Sequence, residues 1–263
     1  MYTMIHSIDP SVGRIEKASL PQHTLMELLT SALECREVLF GSRGVPDTVT
    51  SWKYLIFDSD SNVVAITWHA KALYGGIQLE WIPLTVTRFE ANHNNLSGTI
   101  DLSRLPPPLR HLNLKFNFLN GSIDLEHFPL AVEMVDLSYN ELSGELNLEH
   151  LSPGIQFVML DNNLFTGTVC LTKLPKSFPF LYLHNNKLSG PVDLTSLPSC
   201  MQELYLQKNH FSGHTDFSRL PISLENLYIS NTQLEGEIRM KKVLHDFHAE
   251  NSKVTIIEMN EKT

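Results

Sequence analysis

The chain of 263 residues has only three cysteines, Cys35, Cys170 and Cys200, and no two of them form a Cys-x-x-Cys pair. A sparse, odd set of this kind argues against a disulfide framework or a zinc site, and it is typical of reduced intracellular thiols. The sequence also lacks an apolar run as long as the roughly 18 residues that a transmembrane helix needs. We therefore expect no membrane span.

Positive charge is scarce as well, since the formal net charge is −9 and there is no basic run. This balance argues against binding to nucleic acid or to an anionic membrane surface. The segment 1–17 has no apolar stretch behind basic residues, so it predicts no signal peptide. The predicted location is cytoplasmic, and an extracellular or surface location is the alternative if the N-terminus is incomplete. Two glycosylation sequons, at Asn95 and Asn120, are interpreted as by-products of the repeat described below.

Catalytic signatures are also missing. The sequence contains no G-x-S-x-G, H-E-x-x-H or P-loop pattern, and its twelve histidines have no recurring carboxylate partner. His245 and His248 fall in a strand-like segment, in which alternation places them on opposite faces. We expect a protein that is not an enzyme and that holds no cofactor and no metal ion.

The chain instead contains a repeat with a constant period. Eight units begin 23 residues apart, at Val63, Val86, Leu109, Val132, Ile155, Phe178, Met201 and Leu224. Glycine fills the thirteenth position of every unit, from Gly75 to Gly236. Asparagine fills the ninth position of six units, at Asn94, Asn117, Asn140, Asn163, Asn186 and Asn209. A constant period in this range is typical of solenoids, in which stacked units share one core.

Elementary packing explains these columns. Positions 1, 4, 6, 11, 15, 17 and 20 of each unit are apolar and are predicted to point inward, with one strand per unit stacked in parallel on the next. The asparagine amide is expected to satisfy backbone groups of the turn after the strand, and the glycine is expected to adopt a positive φ or to allow close backbone approach. Both columns are therefore predicted to be structural, and positions 3, 5, 7 and 8 are left to face solvent.

The pattern L-x-x-L-x-L-x-x-N-x-L at this period resembles the leucine-rich-repeat family, and the L-x-G-x-[IVL] half resembles its plant-type subclass. The resemblance implies an α/β repeat solenoid, which is a right-handed, curved array with a parallel inner sheet on its concave face. The run Trp52-x-x-Leu55-x-Phe57-Asp58 resembles the cap that precedes plant-type arrays. Tyr54 and Phe57 replace the usual glycine and cysteine of that cap, and the loss of the cysteine argues against secretion.

Four parts are predicted along the chain: a loose lead-in (1–19), an N-terminal cap (20–62), eight repeats (63–243) and a shortened closing repeat with a tail (244–263). The cap is expected to contain a helix over 20–40, ended by Gly41 and Gly44, and a hairpin that turns at Asp58–Asn62. Residues 20–55 also faintly resemble an F-box, which would imply a ubiquitin-ligase adaptor.

Function is predicted at positions 3 and 5 of the concave face. In the later repeats these positions carry Phe157, Met159, Phe180, Tyr182, Tyr205 and Tyr228. An exposed aromatic patch of this kind marks an interaction surface, whereas the N-terminal half of the face is predicted to be polar and charged. We expect a monomeric, non-enzymatic scaffold that binds a protein or peptide at this patch. The alternatives are a secreted or surface receptor, an F-box-like adaptor, and a tyrosine column that only stacks along the sheet.

Overall fold

The computed structural model describes residues 16–40, 48–240 and 244–258. Within them there is one α-helix, α1 (Gln22–Leu29), and there are four 3-10 helices, Lys17–Ser19, Glu37–Leu39, Val49–Ser51 and Leu79–Trp81. The predicted helix-ending glycines Gly41 and Gly44, most of the lead-in and the end of the tail lie outside the described residues.

Strands alternate along the chain, so that a first strand in each repeat is followed after a short turn by a second one. In chain order they are β1 (Leu55–Phe57), β2 (Val63–Thr67), β3 (Tyr74–Gly75), β4 (Arg88–Glu90), β5 (Asn95–Gly98), β6 (His111–Asn113), β7 (Phe118–Gly121), β8 (Met134–Asp136), β9 (Glu141–Glu145), β10 (Phe157–Met159), β11 (Leu164–Thr166), β12 (Phe180–Tyr182), β13 (Ser189–Gly190), β14 (Glu203–Tyr205), β15 (His210–His214), β16 (Asn226–Tyr228), β17 (Gln233–Met240), β18 (Asp246–His248) and β19 (Lys253–Glu258).

The first strands form one ten-stranded sheet in the order β1, β2, β4, β6, β8, β10, β12, β14, β16, β18. Its strands pair in parallel except for β1 and β2, which form an antiparallel hairpin. The register advances by one repeat per strand, so that Phe157 pairs with Met134 on one side and with Phe180 on the other. The predicted solenoid with a parallel sheet is confirmed.

The second strands form a layer that the sequence interpretation, with one strand per repeat, does not contain. They make a five-stranded sheet, ordered β11, β9, β7, β5, β3, and a four-stranded sheet, ordered β13, β15, β17, β19. Most of them begin directly after the asparagine column and include the repeat glycine, as β5 includes Gly98 at φ +85°. The left-handed backbone at this glycine lets the chain turn as the second strand ends.

The core runs through the whole array as stacked columns. In the second repeat Val86, Phe89, Ala91 and Leu96 are fully buried, and the equivalent positions of the other seven repeats are fully buried too. Because each column is covered only by the repeats on either side, no single repeat can bury its apolar face alone.

The asparagine column joins successive repeats through buried hydrogen bonds. The Nδ2 of Asn140 donates to the carbonyl oxygens of Leu137 in its own repeat and of Leu114 in the preceding one, both at 3.1 Å. Its Oδ1 accepts from the N–H of Leu119 at 3.0 Å. The same three bonds recur at Asn94, Asn117, Asn163, Asn186 and Asn209.

Helix α1 ends at Leu29, so the prediction of a helix over 20–40 is wrong. At its end the Oγ1 of Thr30 donates to the Met26 carbonyl oxygen at 2.9 Å. Leu33 then forms an antiparallel β-bridge with Gly75 of the first repeat. The helix does not continue because the backbone of Ala32 and Glu34 hydrogen-bonds to Gly76 and Tyr74 of the repeat array and not to the next helical turn.

The cap residues also join the core of the array. Met26, Leu29 and Leu33 are buried in the same cluster as the first repeat, together with Trp52. Ala32, which the apolar spacing places on the buried stripe, is exposed because the helix has already ended. At the other end of the array, β18 extends the ten-stranded sheet and β19 extends the four-stranded one.

Candidate functional site

The side of the ten-stranded sheet that points away from the core, which we call the open face, carries the predicted site. Phe157 and Phe180 lie side by side on neighbouring strands, with ring centroids 4.5 Å apart and ring planes within 5° of parallel. In the adjacent column Met159 pairs in register with Tyr182. Because residues two apart on a strand share a face, these two columns form one surface.

Tyr182, Tyr205 and Tyr228 stack on consecutive strands, with ring centroids 4.6 and 4.5 Å apart. The Tyr182 hydroxyl donates to Glu203 Oε2 at 2.6 Å, and the Tyr228 hydroxyl donates to Asp246 Oδ2 at 2.5 Å. Stacked aromatic pairs contribute about 0.5–1.5 kcal/mol beyond the burial of their area. The tyrosine column therefore stabilises the sheet. We call the six predicted side chains together the C-terminal ladder: Phe157, Met159, Phe180, Tyr182, Tyr205 and Tyr228.

The phenols of the C-terminal ladder are held in their neutral form. Burial, and next the hydrogen bond to Glu203, raises the pKa of Tyr182. The same two causes raise the pKa of Tyr205. For Tyr228 the hydrogen bond to Asp246 is the larger cause of its raised pKa. The ladder thus presents neutral rings beside two carboxylates.

The exposure of the ladder differs from the expectation that these side chains face solvent. All six are half-buried, because stacking covers the ring faces and leaves mainly the edges accessible. The structure therefore brings the six predicted residues together as a packed surface and not as separate protruding side chains.

The N-terminal half of the open face, which is predicted to be polar and charged, also carries an aromatic stack that the prediction does not include. His93, Phe116 and Tyr139 occupy position 8 of consecutive repeats and stack with ring centroids 4.5 and 4.1 Å apart. Lys115 Nζ lies 5.2 Å from the Phe116 ring centroid and 5.5 Å from that of Tyr139. Phe118, just past the turn, is 52% exposed. We call His93, Phe116, Phe118 and Tyr139 the aromatic edge.

The backbone at position 8 is left-handed in all eight repeats, with φ between +51° and +57°. Asparagine tolerates this conformation and fills the position at Asn162, Asn185 and Asn231. Phe116 and Tyr139 adopt it with bulky side chains, at a cost of about 1–2 kcal/mol each. The sequence interpretation treated position 8 as unconstrained. The recurrence of asparagine there was the signal of a left-handed turn, and the run of three rings in one column was the signal of a stack.

Comparison with solved structures supports the fold. The LRR ectodomain of the Arabidopsis thaliana receptor kinase GASSHO1/SCHENGEN3, solved in complex with CASPARIAN STRIP INTEGRITY FACTOR 2, matches with a TM-score of 0.62 and 17% identity. A plant ice-binding protein matches with a TM-score of 0.58 and 19% identity, and Pollen Receptor Kinase 3 with 0.51 and 17%. The chain is a leucine-rich-repeat solenoid.

The three matches cover 89%, 89% and 92% of this solenoid. In the other direction the solenoid spans 36% of the GASSHO1/SCHENGEN3 ectodomain, 86% of the ice-binding protein and 99% of Pollen Receptor Kinase 3. No protein-family model and no curated protein matches the sequence.

Two further properties concern the described part of the solenoid. In residues 16–40, 48–240 and 244–258, no three His, Cys, Asp or Glu side chains are grouped so that they could hold a metal ion. None of the helices in those ranges has the length and apolarity to cross a membrane.

A polar cluster lies between the C-terminal ladder and the aromatic edge. His184 Nε2 is 3.5 Å from Asp161 Oδ2. Burial lowers the pKa of His184, and Asp161 opposes this effect. Burial also raises the pKa of Asp136, against the hydrogen bonds that its carboxylate accepts from Ser138. Burial at the centre of the open face therefore lowers the pKa of His184 and raises the pKa of Asp136.

We expect the free energy of unfolding of the wild-type protein to fall more steeply between pH 7 and pH 5, roughly, than that of His184→Gln. The folded-state pKa of His184 lies below its unfolded value of about 6.5, so the unfolded chain takes up the proton first. The stabilisation is complete above the unfolded pKa and is lost as the pH falls below it. Urea unfolding of both proteins at the two pH values measures the difference, and equal slopes would contradict a buried neutral His184.

Proposed function

We propose that the solenoid is a non-enzymatic binding module whose peptide or protein ligand docks on the open face against the C-terminal ladder. The observation that supports this proposal is the side-by-side arrangement of the Phe157–Phe180 column and the Tyr182–Tyr205–Tyr228 column. Stacking within one column is enough to stabilise a sheet. Two adjacent columns also make a continuous apolar surface about two residues wide, which suits an extended ligand.

Stacking also prepares the surface for binding. Aromatic side chains lose rotamer entropy when a ligand covers them, and this loss weakens association. In the C-terminal ladder the rings are already held by their neighbours, and the hydroxyls of Tyr182 and Tyr228 are held by carboxylates. A ligand that covers the ring edges therefore meets a surface that is already ordered. The complex of the GASSHO1/SCHENGEN3 ectodomain with its factor supports a peptide or protein as the ligand class.

The proposal is tested with peptides selected from a phage-displayed library of random dodecapeptides on the folded wild-type protein. The affinity of the selected peptides for Phe180→Ala and Tyr205→Ala is expected to fall at least about 10-fold each, which corresponds to about 1.4 kcal/mol. The affinity is measured by fluorescence anisotropy, and the fold of each variant is checked by circular dichroism.

The matched control is Ile222→Ser, which removes an apolar side chain that is 87% exposed and lies outside all three sheets. Its affinity for the same peptides is expected to equal that of the wild type. If folded Phe180→Ala and Tyr205→Ala keep full affinity, the C-terminal ladder is not the binding surface.

A secreted or cell-surface receptor is the second candidate, and the receptor-kinase ectodomain among the structural neighbours favours it. A cytoplasmic scaffold is favoured by the three free cysteines. Asn95 and Asn120 discriminate the two, because both sequon asparagines are exposed on the second strands and accessible to glycosylation. A glycosidase-sensitive mobility shift of the tagged native protein, lost in Asn95→Gln/Asn120→Gln, would favour the receptor. No shift would favour the scaffold.

A further inference from the structure

The aromatic edge is more accessible than the C-terminal ladder, although the sequence interpretation assigned no function to it. Phe116 is 36% exposed, Tyr139 is 41% exposed and Phe118 is 52% exposed, whereas every ladder ring is half-buried. An open depression of about 370 Å³ lies among these rings, with Asn95 in its lining. The depression is large enough for one apolar side chain.

The left-handed backbone of Phe116 and Tyr139 is a second, independent indication that this surface has a function. Phe116 and Tyr139 hold a left-handed conformation for which asparagine is used at three of the other six positions of the column. A bulky side chain kept in such a conformation indicates a role for the side chain itself. The stacking of the rings offsets part of the free-energy cost of this backbone conformation, whereas asparagine at the same positions would incur little of that cost.

The electrostatics of the aromatic edge select the ligand. Stacking covers the electron-rich ring faces and exposes the electropositive ring edges. Lys115 lies over both Phe116 and Tyr139, and Lys71 lies 4.0 Å from the centroid of the Tyr54 ring at the start of the array. Within the described ranges neither lysine forms an ion pair with a carboxylate.

Two carboxyl groups, those of Asp136 and Glu141, lie near this surface, and the charge of Lys115 acts on Asp136. Asp136 is only 4% exposed, and its carboxylate accepts hydrogen bonds from Ser138. Burial raises the pKa of Asp136, and the positive charge of Lys115 opposes this effect. Glu141 is exposed and lies in the second layer on β9, which pairs with β7, the strand that carries Phe118, so it borders the aromatic edge on the second-layer side. Lys115 therefore borders the aromatic edge on its open-face side without forming an ion pair in the described ranges, on a chain whose net charge is −9.

We infer that the aromatic edge is a second docking surface and that it takes an acidic peptide segment. An apolar side chain of the peptide fills the depression between Phe116, Phe118 and Tyr139, and the flanking carboxylates of the peptide approach Lys115. The inference extends the proposed function, because it assigns a further surface and a ligand chemistry to the same binding module. A peptide fits better than a nucleic acid, since phosphate backbones need an extended row of cations and the edge offers few.

The probes are the peptide acetyl-Asp-Leu-Asp-Phe-Asp-amide and its counterpart with lysine in place of each aspartate, titrated into isotope-labelled protein. The acidic peptide is expected to shift the amide signals of Phe116, Phe118 and Tyr139, and to bind at least about 10-fold more tightly than the basic peptide. Lys115→Gln should lower the affinity for the acidic peptide and reduce its dependence on salt. The matched control Lys187→Gln removes an exposed lysine that lies three repeats further along the array, and it should change neither property.

The double variant Phe116→Asn/Tyr139→Asn separates binding from stability, because asparagine suits the left-handed backbone. Its melting temperature is expected to stay within about 4 °C of the wild type, while binding of the acidic peptide is lost. Binding that survives in this folded variant would overturn the inference, and so would tighter binding of a thymidine oligonucleotide than of the peptide. Amide shifts confined to Tyr182, Tyr205 and Tyr228 would overturn it too, and would leave the proposed function standing. The library experiment with Phe180→Ala tests the proposed function separately.

Discussion

Asn140→Ala is expected to lower the free energy of unfolding by about 3–5 kcal/mol, which is in the range of the most damaging single substitutions. The substitution affects three buried backbone groups: the N–H of Leu119 is left without a partner, and the carbonyl oxygens of Leu114 and Leu137 keep only the bonds from Asn117 and Asn163. A buried polar group left unpaired costs about 1–3 kcal/mol, and each of the two other lost hydrogen bonds costs about 0.5–1.5 kcal/mol. Two of the three belong to the preceding repeat, so the loss also weakens the interface between repeats.

The graded control for this prediction is Asn140→Thr. In the eighth repeat Thr232 fills the same column, and its hydroxyl donates to the Ile229 carbonyl oxygen of its own repeat at 2.7 Å. A threonine at 140 can keep the equivalent bond to Leu137 but not the bonds to Leu114 and Leu119. Urea unfolding should therefore rank stability as wild type, then Thr, then Ala. Equal stability of Thr and Ala would contradict the hydrogen-bond account.

Much of the solenoid could be predicted from the sequence because its constraints repeat. A column such as Val86, Phe89, Ala91 and Leu96 must be buried in every repeat, so eight copies of the pattern test the same interpretation. The conformation of one residue in a single loop has no such repetition behind it. This is why the parallel sheet and its register follow from spacing alone.

The cap was harder to predict because its structure depends on contacts that are distant in sequence. The apolar spacing of Leu25, Leu29 and Leu33 fits one long helix, but Leu33 pairs with Gly75 of the first repeat. If α1 continued through Leu33, the edge of β3 at Gly75 would lose its hydrogen-bond partner. The local apolar periodicity cannot show that the bridge competes with the helix, because the hydrogen-bond partners of the bridge lie about 40 residues further along the chain.

The aromatic edge was missed for a different reason. Alternation along a strand assigns each side chain to one of two faces, but it fails where the strand ends and the backbone turns left-handed. His93, Phe116 and Tyr139 all lie just past that point. The C-terminal ladder was found because Phe180 and Tyr182 lie within a strand, where alternation holds. Stacking of its tyrosine column is one of the alternatives that the sequence leaves open, because parallel strands lie about 4.8 Å apart, but the half-burial of all six side chains is not predicted.

Gly75→Ala is expected to destabilise the protein by about 2–5 kcal/mol, and Gly98→Ala by only about 1–2 kcal/mol. Both glycines have similar left-handed backbones, with φ of +95° and +85°. A Cβ at residue 75 would lie 2.6 Å from the Ala32 carbonyl oxygen and 2.9 Å from the Glu34 nitrogen, whereas a Cβ at residue 98 meets nothing within 4 Å. Comparing the two variants therefore separates the loss of stability that comes from backbone strain from the loss that comes from a collision with the cap.

The tryptophans make this comparison specific to one end of the array. All three, Trp52, Trp68 and Trp81, lie in the cap and the first repeat, so fluorescence reports that end while far-ultraviolet circular dichroism reports the whole solenoid. In Gly75→Ala the fluorescence midpoint in urea should fall below the circular dichroism midpoint. Each repeat contacts only its neighbours, so a weakened cap exposes the first repeat while the later ones remain stacked. If the two midpoints stay together and fall no further than in Gly98→Ala, the bridge between Leu33 and Gly75 does not hold the cap in place.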